Sequence, residues 1–347
     1  MQPSLPTPPS LSSLPHLPAP LPGTRMPAVL QRAYGGPEVL EVGETEVPAL
    51  TEDGVLVRVV TAGVNKGDWH LVTGTPHLVR LAFGLTAPSR PIVGMAIAGQ
   101  VVAVGAKVTG FQVGERVFAE VNRGGFAAYA CVPAKILAHL PDGVSFEDAA
   151  TLPVAATTAF QPLRDAKVQP GQSVLINGAS GGVGSFAVQI AKAMGAKVTG
   201  VCSAANGPLV KSLGADRVVD YGTEDFTRGA DRYDIIFDLV GNYTLSAFRG
   251  VLAPGGRLLA GSGGGDNNWV GPMFTVLGGM VSNLWSSQPF VPVMNKPNAA
   301  DLQATAAMVV AGTLRPVIDR RYTLGEVPEA IRYLGLARTR GKCIVTV

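Results

Sequence analysis

The chain has 347 residues, 47% hydrophobic and only 15% charged, with a formal net charge of +3; it is long enough for two domains and apolar enough for a large core. The mild charge, with no Lys/Arg block and no alternation of basic and aromatic residues, excludes nucleic acid as a partner. Cys131, Cys202 and Cys343 lie too far apart for a zinc cluster or a Cys-x-x-Cys pair, and read as buried free thiols in a reducing, cytoplasmic compartment.

In chain order, residues 1–25 are rich in Pro, Ser and Leu and carry one charge, Arg25. They lack the basic start and continuous apolar run of a signal peptide and read as a disordered, partly polyproline-like tail, with Met26 a second candidate start. From 26 to 150, Val-rich and partly alternating stretches such as EDGVLVRVVTAGV (52–64) and GQVVAVGAKV (99–108) stand between glycines and prolines, which suits a mainly antiparallel, barrel-like domain. FEDAATLPVAATTAFQPL (146–163) is Ala-rich and helical in character. From 173, strands at 173–176, 197–201, 217–219, 235–238 and 257–260 alternate with helices, clearest at 183–194 and 209–213. That alternation implies a parallel sheet with crossover helices. A helix at about 299–312, a strand at about 315–322, the helix VPEAIRYLG and the final strand GKCIVTV return to the texture of the first domain. The expected fold is therefore α/β, a doubly wound parallel sheet (151–288) inserted in a mainly β outer domain (26–150 and 289–347). No stretch reaches the ~18 apolar residues of a membrane span; the run 273–285 is broken by Gly278 and Gly279.

The strongest local signal is VLINGASGGVGSFAVQIAKAMGAKV. An apolar strand enters Ala179-Ser180-Gly181-Gly182-Val183-Gly184 and an amphipathic helix follows. This strand–glycine–helix context marks a Rossmann dinucleotide site, with the pyrophosphate at the helix N-terminus. Gly181 allows backbone approach to the phosphates, Gly184 allows helix–strand packing, and Ala179 stands where the motif has its first glycine. Ser203 lies 22 residues after Gly181, near the place of the ribose-binding acid that would indicate NAD. A serine does not repel a 2′-phosphate and can donate to it. With Lys211 on the next helix and Tyr221 after the third strand, the turn points to NADPH, with NADH left open.

These residues, with YGGPEVLEV, AGVNKGDWHLVTG, LPVAATTAFQPL, LGADRVVDYGTEDF, YDIIFDLVG and TRGKCIVTV, resemble the zinc-free medium-chain dehydrogenase/reductases of the quinone oxidoreductase branch over nearly all of 26–347. The resemblance implies a GroES-like catalytic domain carrying an inserted Rossmann domain, a substrate cleft between them, and a homodimer or tetramer. Zinc-dependent relatives carry a ligand cysteine at the place of Asn65 and a ligand histidine at that of Met95, so the resemblance implies no zinc. The matched reaction is hydride delivery to a quinone or an α,β-unsaturated carbonyl. Asn65 is the expected donor to a developing enolate or quinol oxygen, Asp68 a brace of the loop or an acid/base group, and His70 a proton source. Thr158 matches a threonine beside the nicotinamide; Val240 and Ser262 complete the cofactor set, Ser262 at a strand tip on the nicotinamide side. The apolar segment 263–294, with Trp269, Phe274, Trp285 and Phe290, is read as pocket lining, core or dimer seam. Ala96, where the branch has an acid, and Ala204-Ala205, where relatives have Arg or Lys, depart from the pattern. They keep open a nucleotide-binding protein of little turnover. The same scaffold would also serve an alcohol dehydrogenase-like enzyme or a non-redox enzyme, since fold does not fix function.

Overall fold

The computed structural model describes residues 20, 21, 23–261 and 273–347; the expectations for most of the 1–25 tail, for Ser262, for Trp269 and for the Phe274 side chain lie outside them. A small antiparallel pair, β1 (Arg25–Gln31) and β2 (Leu40–Glu46), opens the chain. The outer sheet begins with β3 (Gly54–Val64), followed by α1 (Lys66–Thr73) and α2 (Arg80–Phe83). It continues with β4 (Ala96–Val104), β5 (Arg116–Glu120), β6 (Tyr129–Pro133) and β7 (Leu137–His139). Helices α3 (Phe146–Thr151) and α4 (Thr157–Asp165) lead to the second sheet, where β8 (Ser173–Asn177), α5 (Gly182–Ala193), β9 (Lys197–Cys202), α6 (Gly207–Ser212) and β10 (Arg217–Asp220) form its first half. The second half is β11 (Tyr233–Asp238), α7 (Leu245–Val251), β12 (Leu252–Ala260), α8 (Met273–Ser282) and β13 (Phe290–Pro292). After α9 (Ala299–Val310) the chain closes the outer sheet with β14 (Ile318–Thr323), α10 (Val327–Gly335) and β15 (Lys342–Thr346).

The second sheet runs β10-β9-β8-β11-β12-β13 with every pair parallel. Renumbered from its first strand this is 3-2-1-4-5-6, the Rossmann order, whose crevice opens where the order reverses, at the carboxyl ends of β8 and β11. Val174, Leu175 and Ile176 of β8 are all fully buried, as expected of a strand covered on both faces. In the outer sheet β15 lies antiparallel to β3, with Cys343 opposite Val64. The C-terminus is thereby built beside the strand that leads to Asn65.

The inserted architecture is as expected, but the second boundary is later than 288/289. Phe290–Pro292 pairs with β12 as the sixth parallel strand, and Leu302 and Ala306 of α9 join the core formed with α4 and α5. The chain re-enters the outer sheet only at β14. That same core also holds Phe118 and Ala138 of the outer sheet, so the two domains share packing along α3 and α4. In the described part of 263–294, Phe290 is buried, but Leu284 (76%), Trp285 (80%) and Met294 (76%) are exposed and are not core. Among the described residues no helix is long and apolar enough to cross a membrane.

Candidate active site

The glycine loop fits a dinucleotide pyrophosphate. A Cβ at Gly184 would be driven into the carbonyl oxygen of Gly178, so only glycine lets α5 pack this close to β8. Gly181 is the opposite case: a Cβ there would meet nothing nearer than Gly178 O at 3.5 Å, which leaves its face open for a phosphate at the N-terminus of the 12-residue α5. Ala179 is tolerated in the first motif position because β9 places Gly200 against it; a Cβ at Gly200 would stand 3.0 Å from that of Ala179 and 2.5 Å from Val210 Cγ1. Ser180 Oγ accepts a hydrogen bond from Asn206 Nδ2 (3.1 Å), tying the loop to the turn after β9. Val240 covers Gly178 from the β11 side, and Thr158 is half-buried at the start of α4.

At the ribose turn the structure brings together part of the expected set. Ser203 is partly exposed before α6, and Tyr221 is 60% exposed with its N–H on Cys202 O. Lys211 Nζ donates to Asp216 O at 2.6 Å. Asp220 stands at the same turn. Its Oδ1 accepts the N–H groups of Ala204 and Gly222, each at 3.0 Å.

Across the crevice, the end of β3 presents Asn65, and α1 presents Asp68 and His70. Asp68 Oδ2 accepts the Asn65 N–H at 2.8 Å, the bracing role expected of it. Asp68 is fully buried and burial pushes its carboxyl up to about 7, against the pull of the Asn65 N–H, Lys342 and Arg123. Lys342, at the start of β15, was missed by the sequence reading. Its Nζ donates to Val64 O (2.8 Å) and to Asn65 Oδ1, burial draws it down to about 8, and its stem passes over Gly182, where a Cβ would stand 3.2 Å from Lys342 Cδ. Asn65 Nδ2 gives one N–H to Gly63 O (3.1 Å). The signal that could have found Lys342 was the motif TRGKCIVTV itself, a lone lysine in an otherwise apolar strand.

His70 stands differently from the expectation. Its Nδ1 lies 2.8 Å from Thr75 O. A carbonyl can only accept, so the ring proton sits on Nδ1 and Nε2 is left as an acceptor. Burial holds its pKa below the ordinary value. Two further polar groups not singled out in the sequence, Glu120 at the end of β5 and Asn295 after β13, are joined by a hydrogen bond.

A nicotinamide dinucleotide therefore fits the residues present, by the open face at Gly181 and the strand order. A zinc ion at Asn65 does not. The Asn65 oxygen is occupied by an ammonium group, Met95 offers only a thioether, and among the described residues no group of three His, Cys, Asp or Glu side chains could hold a metal.

Family models match in two places, the alcohol dehydrogenase GroES-like domain over 51–142 and the zinc-binding dehydrogenase domain over 213–345. The chain is 31% identical to a 2-methylene-furan-3-one reductase of Solanum lycopersicum, over 90% of this chain and 76% of that one. It is also 31% identical to a chloroplastic NADPH-dependent alkenal/one oxidoreductase of Arabidopsis thaliana, over 92% and 79%. Among solved structures, the quinone oxidoreductase from Coxiella burnetii superposes with a TM-score of 0.83 at 27% identity, over 93% of this chain and 100% of that one.

Proposed function

The chain belongs to the medium-chain dehydrogenase/reductase family, in its quinone oxidoreductase branch, and from that premise we propose that this oxidoreductase is an NADPH-dependent, metal-free reductase of quinones or α,β-unsaturated carbonyls. The observation that carries the proposal is the placement of Asn65, backed by a buried lysine, opposite the open glycine loop. A reduced nicotinamide supplies a hydride to an electron-poor carbon. The backbone N–H groups of 182–184, at the start of α5, hold the pyrophosphate. Asn65 has a second amide N–H beyond the one given to Gly63, and offers it to the oxygen on which negative charge develops. Lys342, bonded to the Asn65 oxygen, polarises that amide and strengthens the donation. Asp68 and Lys342 titrate near neutrality, so a proton is held directly behind Asn65 in the working pH range.

NADPH is proposed on the Ser203 hydroxyl, the Tyr221 phenol and the similarity to an NADPH-dependent relative. NADH is the second reading, favoured by the Asp220 carboxylate fixed at the same turn. The exposed apolar side chains of Leu277, Trp285 and Met294 beside edge strand β13 support a homodimer, which sedimentation would show as twice the chain mass. The free thiols of Cys131, Cys202 and Cys343 support a reducing compartment, the cytoplasm in this proposal.

The test is oxidation of NADPH, followed by its absorbance, against a naphthoquinone and a 2-alkenal, with and without EDTA. Turnover of at least one acceptor, unaffected by EDTA, is expected. EDTA-sensitive oxidation of alcohols would overturn the proposal in favour of an alcohol dehydrogenase, and tight binding with no turnover in favour of a nucleotide-binding protein.

A further inference from the structure

Glu120 is the last residue of β5, paired with Ala96 of β4, and is only 6% exposed. A glutamate this deep requires partners, and the two it has among the described residues are drawn from other segments. Val154 N–H reaches Glu120 Oε2 at 3.2 Å, and Asn295 Nδ2 donates to the same oxygen. Val154 has φ 67° and ψ −60°, a strained conformation for a β-branched residue; the chain bends between α3 and α4, and its N–H is spent on Glu120. Two N–H donors converge on Oε2, so Oε2 is an acceptor whether or not the carboxyl carries a proton, and burial pushes that carboxyl upward.

Asn295 lies three residues past β13, and Val293 N–H bonds to Ala260 O at the end of β12 (2.9 Å). Asn295 therefore stands at the carboxyl ends of the last two strands, in the half of the Rossmann sheet that receives the second mononucleotide of a dinucleotide. Its Nδ2 is committed to Glu120, which fixes which way the amide faces. Its Oδ1 is buried and has no partner among the described residues. A buried acceptor of this kind calls for a donor. The second mononucleotide of NADH or NADPH ends in a primary carboxamide, which carries an NH2.

Resting on the nicotinamide-dependent reading above, we propose that Asn295 reads the cofactor's carboxamide, its Oδ1 accepting from the carboxamide NH2, and that Glu120 is the positioning residue that holds the Asn295 amide from the outer domain. The nicotinamide end is then recognised by a side chain whose orientation is set across the cleft. The adenosine end is held by the glycine loop and the turn after β9.

The test is calorimetric titration of the purified chain with NADH, with its reduced 3-acetylpyridine analogue, in which a methyl group replaces the carboxamide NH2, and with ADP-ribose, which lacks the ring. The 2′-phosphorylated forms of all three serve if NADPH binds more tightly. The wild type should bind NADH about tenfold more tightly than the analogue, the size of one lost hydrogen bond in a closed site. Asn295→Ala should bind the two alike while keeping its affinity for ADP-ribose, and Glu120→Ala should narrow the preference in the same way. Equal affinity of the wild type for NADH and the analogue overturns the proposal with no variant needed. So does a tenfold preference that survives in Asn295→Ala, or a loss of ADP-ribose binding in that variant, which would make Asn295 a structural link. Failure of the wild type to bind either dinucleotide is a separate result, and removes the nicotinamide reading together with this one.

Discussion

Replacing Lys342 by methionine tests the buried constellation behind Asn65. Lys342 is 3% exposed and donates to Val64 O and Asn65 Oδ1. Its loss removes two charge-assisted hydrogen bonds, leaves both acceptors without that donor, and takes away a cation that Asp68 feels. Breaking such a buried set costs about 3–5 kcal/mol, or roughly 4–7 °C of melting temperature scaled to a chain of this length. Asp68→Asn, which keeps the shape but not the charge, should cost about 1–2 kcal/mol at pH 8. In the double variant neither member of the Asp68–Lys342 pair is left without the other, so its cost should fall short of the sum by at least ~2 kcal/mol. The pH dependence has a definite sign. Asp68 titrates at about 7 in the fold against an ordinary 3.8, so the native state binds more protons in that window and stability falls as pH rises through it. Without Lys342 the carboxyl is pushed higher still, and the window extends above pH 7. Wild-type Lys342, with its folded pKa drawn down from 10.5 to about 8, gains stability as pH rises between those values, and the variant lacks this gain. Both effects widen the Lys342→Met deficit from pH 6 to pH 9. Thermal melts of the four proteins across that range are the assay. Additive costs, or a deficit that narrows as pH rises, would refute the coupling of Lys342 to Asp68.

Three further outcomes follow from single positions. Gly184→Ala drives a methyl group into Gly178 O, and should cost about 1–3 kcal/mol or more and weaken NADPH and ADP-ribose binding together, as titration would show. Lys211→Ala should leave NADPH affinity within about twofold, because the amine is held by Asp216 O and its exposed pairing contributes little; a tenfold loss would return Lys211 to the 2′-phosphate. His70→Gln should leave the pH profile of turnover unchanged in shape with whichever acceptor the screen finds, since the Nδ1 proton is committed to Thr75 O; loss of an ionisation from that profile would make His70 the proton donor.

The parts legible in the sequence were those whose cause is local. A strand, a glycine-dense turn and a helix within about 25 residues state the dinucleotide loop, and the reason Ala179 is acceptable, Gly200 on the next strand, lies within the same βαβ unit. What was not legible depends on register between distant segments. Lys342 meets Asn65 across 277 positions, and only the pairing of Cys343 with Val64 brings them together. Glu120 and Asn295 meet across 175. The bond from Lys211 to Asp216 O was hidden for the opposite reason: the helix was placed correctly, but side-chain direction on a six-residue helix is set by a carbonyl that periodicity does not display. The late domain boundary was hidden because β13 has only three residues, one of them proline, too short for an alternating pattern to register.

The central claim, a nicotinamide dinucleotide held at the glycine loop, is tested most directly by fluorescence titration of the purified chain with NADPH and, separately, with NADH. Saturable binding of both, tighter for NADPH, is expected, and NADH binding as tightly or more so would shift the assignment at the turn to Asp220. Failure of both nucleotides to bind would contradict the claim, leaving the loop a packing device and the oxidoreductase chemistry proposed for this cleft without its hydride source.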